Sequence, residues 1–282
     1  MQNKRTAVSE QGIALVMVLW LMVLLVVLAS QFALSARTGL ETVRNLKEDR
    51  EAYFLAYAGV QMAVREIVAD SEYHYYGEKG QLRFASTLYD GDYSSRTEIP
   101  LGDGLVSYSI KDEGAKLNLN SLATDESQLR FLLQTLFPEG KEWTDTVADS
   151  ILDWVDADDD HRANGAETDY YRTREPPYAA KNRTFDTLNE LKKVKGITQE
   201  IFDALSRVVT VYPTSGVNVN TAPVEVLRAG GMPDEEIATV MKERETKGWY
   251  SDGAKSDLFA ITATGRFSES RLIHSIRVIA RQ

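Results

Sequence analysis

The sequence predicts an α+β protein that has a long N-terminal helix, an antiparallel sheet and a large all-α insertion within the sheet. Apolar residues recur at helical spacing, without a proline, from residue 13 to about residue 69. Strand-like alternation appears in residues 71–112 and returns in residues 258–282. Between those two stretches, residues 113–257 carry segments with the apolar spacing of helices.

The N-terminal helix is predicted to enter a membrane. Residues 13–36 contain no charged side chain, and 24 residues of helix span about 36 Å, more than a hydrocarbon core of roughly 30 Å. A secretory signal cleaved near Ala36 is the alternative, but the apolar run exceeds the usual 7–15 residues and the helical pattern continues beyond it. Residues 37–70 predict an amphipathic continuation, which we expect to pack against partner helices through Leu40, Val43, Tyr53 and Tyr57.

Composition excludes several classes of protein. The net charge of −10 disfavours a protein that covers nucleic-acid phosphate over a large surface. Cysteine is absent, so no disulfide can stabilise the chain. The three histidines are scattered and belong to no motif, and no nucleophile and base are marked by spacing. We therefore predict that the protein is not an enzyme.

The first β segment predicts strands, and the C-terminal segment predicts a hairpin. In the first, alternation surrounds Gly102 and Gly104, and residues 105–110 predict a strand. In the second, two strands flank residues 265–270. One face of the last strand is predicted to carry Leu272, His274, Ile276, Val278 and Ala280.

The insertion contains an acidic segment, "DWVDADDDHRANGAETDYY", with seven carboxylates in nineteen residues. Oxygen-bearing side chains stand at positions 1, 3, 5, 9 and 12 of a twelve-residue loop, as in an EF-hand. These predicted ligands are Asp156, Asp158, Asp160, Asn164 and Glu167, and Asp153 and Asp169 are possible additions. Oxygen donors alone favour Ca²⁺ over softer metals.

The EF-hand pattern is incomplete, since His161 replaces the central glycine and Pro176 and Pro177 disfavour an exit helix. We therefore predict a calcium loop of different geometry that holds one or two ions in a structural role. A solvated acidic loop without an ion is the alternative.

Two later segments, "LKKVKGITQEIFDAL" and "VNVNTAPVEVLRAGGMPDEEIATVMKERETKG", resemble the helix-hairpin-helix modules of membrane-anchored DNA-uptake receptors. A DNA receptor is thus the alternative function. In DNA-binding modules, hairpin N–H groups and basic residues meet a phosphate. Here Pro233 lacks that N–H, and the three acidic residues that follow it would repel phosphate. We predict a packing or docking role and no nucleic-acid partner.

The N-terminal stretch "KR…EQG-IALVMVL" resembles a type IV prepilin leader. The resemblance implies that prepilin peptidase removes residues 1–12, cutting between Gly12 and Ile13, and that Ile13 is then methylated. Most pilins and pseudopilins carry a glutamate where this chain has Met17. A tip subunit could tolerate its loss, because no subunit above offers the amine that pairs with it. An ordinary single-pass anchor with a chance glycine is the alternative.

The interrupted sheet, the acidic segment and "VNVNTAP" together resemble component K, the family of large minor pseudopilins of type II secretion systems. The resemblance covers nearly the whole chain and implies a pilin-like fold and calcium binding. It also implies a single-pass protein of the bacterial inner membrane whose C-terminal domain is in the periplasm. There it would cap the pseudopilus and start its assembly with other minor pseudopilins, for export of folded proteins. The sequence leaves open whether exported proteins contact it.

Overall fold

The computed structural model describes residues 10–69, 73–75, 82–84, 95–247, 250, 255–267, 270 and 272–282. Of residues 10–13 it describes the backbone alone. Most of the predicted leader, residues 1–9, lies outside this range, as does most of the stretch 70–94 that was predicted to begin the sheet.

Helix α1 (Glu10–Ala69) is a continuous helix of 60 residues, about 90 Å long. Every side chain from Ala14 to Lys47 is exposed, so this half packs against nothing else in the described chain. From Ala52 onward the helix buries one face, which carries Ala56, Val60, Ala63 and Ile67. These residues repeat every three or four positions, as one side of a helix requires.

The main sheet has four antiparallel strands in the order β3-β4-β7-β8. They are β3 (Ser95–Leu101), β4 (Gly104–Asp112), β7 (Leu258–Phe267) and β8 (Ile273–Arg281). Two short strands, β1 (Tyr73–Tyr75) and β2 (Leu82–Phe84), form a separate antiparallel pair. The central pair β4–β7 joins strands from opposite sides of the insertion, with Ile110 opposite Ile261. The last strand begins at Ile273, so Leu272 precedes it.

Helix α1 lies on one face of this sheet. Its buried side packs against Val106, Tyr108 and Phe259. A buried ionic contact adds to the apolar one. Glu66 of α1 accepts hydrogen bonds from the Arg96 guanidinium and the Tyr108 hydroxyl, each at 2.8 Å. Because the Glu66 carboxylate is buried, these two donors compensate most of its lost hydration.

In its described residues, the insertion between β4 and β7 contains helices and one short parallel strand pair, so it is not strictly all-α. The pair joins β5 (Leu117–Asn118) to β6 (Val209–Thr210). The helices are α2 (Leu119–Leu122), α3 (Glu126–Leu136), α4 (Lys141–Val155), α5 (Thr168–Arg172), a 3₁₀ helix (Leu188–Lys193), α6 (Gln199–Val208), α7 (Val224–Ala229) and α8 (Asp234–Lys247). They enclose an apolar core separate from the one beneath α1.

The two ends of the insertion meet at the end of the sheet. The Glu113 N–H donates to the Leu258 carbonyl at 3.0 Å, so the chain leaves and re-enters the sheet side by side. Buried Asp112 accepts hydrogen bonds from the Gly114 N–H at 2.7 Å and the Asn218 side-chain amide at 2.9 Å. Burial nevertheless raises the pKa of Asp112. The predicted α+β class is confirmed, with the sheet assembled around an inserted helical domain.

Candidate metal site and partner-facing helix

The acidic segment is positioned by the last turn of α4. Ile151 and Trp154 are buried in the apolar core, and Asp153 between them is fully buried. The helix ends when Asp156 adopts an extended backbone. The chain then turns back so that Gly165 passes over the Asp153 carboxylate, where a Cβ atom would lie 1.9 Å from Asp153 Oδ2. Only glycine permits this approach, which brings Glu167 beside the end of α4.

Three carboxylates converge there. Asp153, Asp156 and Glu167, hereafter the acidic site, each offer an oxygen within 4.8 Å of the other two. Glu167 is 1% exposed, and within the described part of the chain neither of its carboxylate oxygens has a hydrogen-bond partner. The same is true of Asp156 Oδ1. Buried polar atoms without a partner are rare in folded proteins, so these three oxygens are candidates for binding an ion or a water molecule.

Electrostatics in the acidic site favour a cation. Burial raises the pKa of Glu167 to about 8, and repulsion from Asp153, Asp156, Asp159 and Asp158 adds to the effect. An ionised carboxylate in such surroundings is costly unless a positive charge accompanies it. The donors are all oxygens, as Ca²⁺ and Mg²⁺ require. The side chains present therefore fit a hard divalent cation.

One cation of the chain already lies at the site. The Arg162 guanidinium donates to Asp153 Oδ1 at 2.7 Å and to Asp156 Oδ2 through the same nitrogen. The backbone N–H of Arg162 also donates to Asp153 Oδ2, at 3.3 Å. The sequence reasoning did not identify Arg162, although it is the single arginine within the acidic segment.

Four other predicted ligands lie outside the acidic site. Asp158 and Asp160 are exposed, and Asp158 accepts from the Asp160 N–H at 3.0 Å. Asp169 pairs with His161 at 2.9 Å on the surface. The alternating register of an EF-hand is therefore not what brings the three carboxylates together. A short helix, α5, does follow Glu167, in contrast to the expectation from the two prolines.

Asn164 is turned toward a different carboxylate. Its backbone N–H and side-chain amide donate to Asp149 Oδ2 at 3.0 and 3.2 Å. Asp149 is buried and also accepts from Arg130. Sequence reasoning missed this residue, although it stands one helical turn before Asp153 and therefore on the same face of α4.

The predicted partner-facing residues of α1 differ in their surroundings. Leu40 and Val43 are 72% and 66% exposed, on the half of the helix that is free of the sheet. Tyr53 and Tyr57 are 42% and 48% exposed, above the sheet. The Tyr53 ring also meets the His274 ring of β8 edge-on, with centroids 5.2 Å apart. All four thus present apolar surface to solvent, and their contacts with partner helices remain a prediction.

The membrane-spanning and processing predictions concern the start of α1. The helix is long and apolar enough over Ala14–Val68 to cross a membrane by length and composition, as a single-pass anchor requires. Gly12 and Ile13 lie in its first turn, where their side chains are not described. Cleavage and methylation there remain predictions.

The helix-hairpin-helix-like units show few features of a phosphate site. Gly231 adopts φ = +90° between α7 and α8, and the first turn of α8 is acidic through Asp234, Glu235 and Glu236. In the other unit, the Lys195 ammonium donates to the Gly165 carbonyl at 2.8 Å and so faces the acidic segment. The acidic first turn of α8 and the contact of Lys195 with the acidic segment both weigh against DNA binding.

Comparisons with known proteins agree with this architecture. The family model described as type II secretion system (T2SS), protein K, matches residues 115–214, within the insertion. The type II secretion system protein K of Klebsiella pneumoniae is 28% identical over 293 residues, covering 96% of this chain and 87% of its own. That of Aeromonas hydrophila is 26% identical over 273 residues, covering 88% and 80%. A putative protein K of Escherichia coli K12 is 25% identical over 265 residues, covering 87% and 78%.

A solved structure shows the same fold. The crystal structure of the GspK-GspI-GspJ complex from the enterotoxigenic Escherichia coli Type 2 Secretion System contains a chain that matches with a TM-score of 0.64 and 20% identity. The match covers 86% of this chain and 94% of that one. Family model, full-length relatives and fold agree with the resemblance identified in the leader, the interrupted sheet and the acidic segment. The comparisons therefore confirm the resemblance of this chain, over most of its length, to the type II secretion system protein K family.

Proposed function

We propose that this protein is a minor pseudopilin at the tip of the type II secretion pseudopilus, where it caps the filament and initiates its assembly for export of folded proteins. The observation that carries the proposal is the division of α1. Its first half is apolar and exposed on every side, whereas its second half bears the sheet and the helical insertion. A helix exposed in this way needs lipid or neighbouring helices around it.

The insertion supports a terminal position. It adds residues 113–257 beside the sheet, far more bulk than the helix and four strands that hold it. Copies stacked along a thin helical filament would clash, whereas one copy at the end would not. Met17 agrees with this position, because a tip subunit has no subunit above to pair with a glutamate.

Other minor pseudopilins are the proposed partners. The related Escherichia coli chain is a member of a three-protein complex with GspI and GspJ. In this chain, the exposed apolar residues Leu40 and Val43 supply a contact surface for neighbouring helices. We place the anchor in the bacterial inner membrane and the folded domain in the periplasm, after prepilin peptidase cuts between Gly12 and Ile13.

The acidic site is proposed to hold Ca²⁺ in a structural role. Asp153, Asp156 and Glu167 would bind the ion, which would give the buried Glu167 carboxylate a positively charged partner. Binding to the native state alone would stabilise the insertion, in a chain without disulfides.

The test of the pseudopilin class is the mass of the membrane-extracted protein from its own host. We expect an N-terminus at Ile13 that is heavier by one methyl group. The Gly12→Ala variant should keep its leader. An intact Met1, or an N-terminus near Ala36, in the unaltered protein would overturn the proposal.

The tip position has a separate test, made simple by the absence of cysteine. The variant Leu40→Cys should form crosslinks to other minor pseudopilins, and Ser275→Cys on the exposed face of β8 reports random collision. Crosslinks between two copies of Leu40→Cys at native expression would contradict a single copy at the tip.

A further inference from the structure

Arg162 neutralises only part of the acidic site. Its guanidinium contacts Asp153 and Asp156, and no contact with Glu167 is among its hydrogen bonds. With Glu167 ionised, as it would be when it binds a cation, three carboxylates and one guanidinium carry a formal charge of −2. That remainder equals the charge of one divalent ion.

Arg162 leaves three oxygens of the acidic site without a hydrogen bond from the described chain. Asp156 Oδ2 faces the guanidinium, whereas Asp156 Oδ1 and both oxygens of Glu167 are buried without a partner in the described chain. The arginine therefore binds only some of the carboxylate oxygens, and these three oxygens remain for a ligand. The same arrangement fixes Asp153, whose two oxygens receive the guanidinium and the backbone N–H of residue 162.

The backbone holds Arg162 in this position. The Gly165 N–H donates to the Arg162 carbonyl at 3.1 Å, which closes a turn under the side chain. Because the Arg162 N–H is also bound to Asp153, the residue is attached to α4 at two points.

We propose that Arg162 sets the charge of the acidic site, so that the site selects a divalent cation over a trivalent one of similar size. This inference rests on the proposed calcium site. It assigns Arg162 a positioning and selectivity role, distinct from metal ligation. Removing its charge leaves −3 on the carboxylates, which strengthens the attraction for a trivalent ion more than for a divalent one.

The size of the effect follows from Coulomb's law. The charge product with Arg162 is larger by one for a trivalent ion than for a divalent ion. The effective dielectric constant lies between about 20 near a protein surface and about 80 in water, and an intermediate value of about 40 at about 6 Å changes the preference about tenfold. The nearby groups Lys195, Asp158 and Asp159 are unchanged in every variant, so they cancel from the comparison.

The experiment measures Tb³⁺ and Ca²⁺ affinities of the full-length protein in detergent after metal removal. Tb³⁺ is followed by luminescence excited through Trp154, which adjoins Asp153 in sequence, and Ca²⁺ by competition. In Arg162→Gln we expect the ratio of Tb³⁺ to Ca²⁺ affinity to rise about tenfold. In Arg162→Lys, which keeps the charge, and in Arg277→Gln, which removes an exposed charge from β8, the ratio should stay at the unaltered value.

The outcomes distinguish failure of the calcium site from failure of the role of Arg162. If the unaltered protein binds neither ion, the calcium proposal fails and this inference fails with it. If the unaltered protein binds both and Arg162→Gln keeps the same ratio, only the role of Arg162 is overturned. Should Arg162→Gln fail to fold, a tenfold rise in Arg162→Lys would also overturn it, because lysine preserves the charge.

Discussion

The substitution Gly265→Ala tests how closely α1 lies on the sheet. Gly265 stands opposite Val106 in the central strand pair. A Cβ atom at this position would lie 2.2 Å from the Ala52 carbonyl oxygen and 2.3 Å from the Ala56 nitrogen. Both are backbone atoms of α1, so the clash cannot be relieved by turning a side chain. The helix and the strand must separate by about 1 Å or more to reach an ordinary contact.

The cost follows from that separation. Overpacking a well-filled contact typically costs about 1–3 kcal/mol, and we expect about 3 kcal/mol here because two backbones must move apart. For a chain of this size, each kcal/mol lowers Tm by about 2–4 °C, so Gly265→Ala should lower it by about 6–12 °C.

The assay is thermal unfolding of the full-length protein in detergent, followed by near-ultraviolet circular dichroism. The matched control is Gly39→Ala, because a Cβ at Gly39 has nothing within 4 Å. Alanine there improves helix propensity, so Tm should not fall. If Gly265→Ala melts within about 2 °C of the unaltered protein, α1 does not approach the sheet as closely as described and the reasoning is refuted.

Arg96→Met should cost about 3–5 kcal/mol in unfolding free energy, because it leaves the buried Glu66 carboxylate without its guanidinium partner; a loss below about 1 kcal/mol in denaturant titration would contradict this. Burial alone would raise the pKa of Glu190, but the Lys181 ammonium outweighs this effect and holds that pKa below its usual value. The ion pair therefore stabilises the fold above about pH 4.5, and this stabilisation is lost as the pH falls. Lys181→Met should therefore lower stability by about 1 kcal/mol at pH 7 and by clearly less at pH 3, and equal losses at both would exclude the linkage. Because the pKa of Glu167 is raised to about 8, this carboxyl is mostly protonated at pH 7 without an ion, so Glu167→Gln should leave Tm in EDTA little changed and abolish the rise in Tm that Ca²⁺ gives the unaltered protein; the same calcium response in both proteins would count against the metal site.

Strong periodicity made the fold predictable. The helix that begins near residue 13 continues through Ala69 because no proline or glycine pair interrupts its apolar spacing. The strand β4 and the hairpin β7–β8 follow from alternation around glycines, whereas the pairing of β4 with β3 was not predicted. The pairing of β4 with β7 could be inferred only from the resemblance, since residues 113–257 separate the two strands in sequence. The parallel contact between β5 and β6 has two residues per strand, too few to show a pattern.

The sequence predicted the type of ligand in the acidic site, but not which residues form it. Spacing predicted alternate carboxylates along the loop, whereas the structure brings Asp153, Asp156 and Glu167 together and leaves Asp158 and Asp160 exposed. Asp153 joins the site because the helical turn of α4 presents it beside Asp156, and Glu167 joins because Gly165 lets the chain return. Neither relation is visible in a linear count of oxygens.

The sequence by itself determined the apolar span, the long helix, the two β segments and the presence of a dense acidic segment, because these depend on composition and on short-range spacing. The tertiary structure alone decided which carboxylates converge and that Arg162 lies among them. It also decided that Glu66 of α1 faces the sheet and that Gly265 of β7 faces α1. Those outcomes depend on chain segments that are distant in sequence, and burial and close approach between them arise only when the chain is folded.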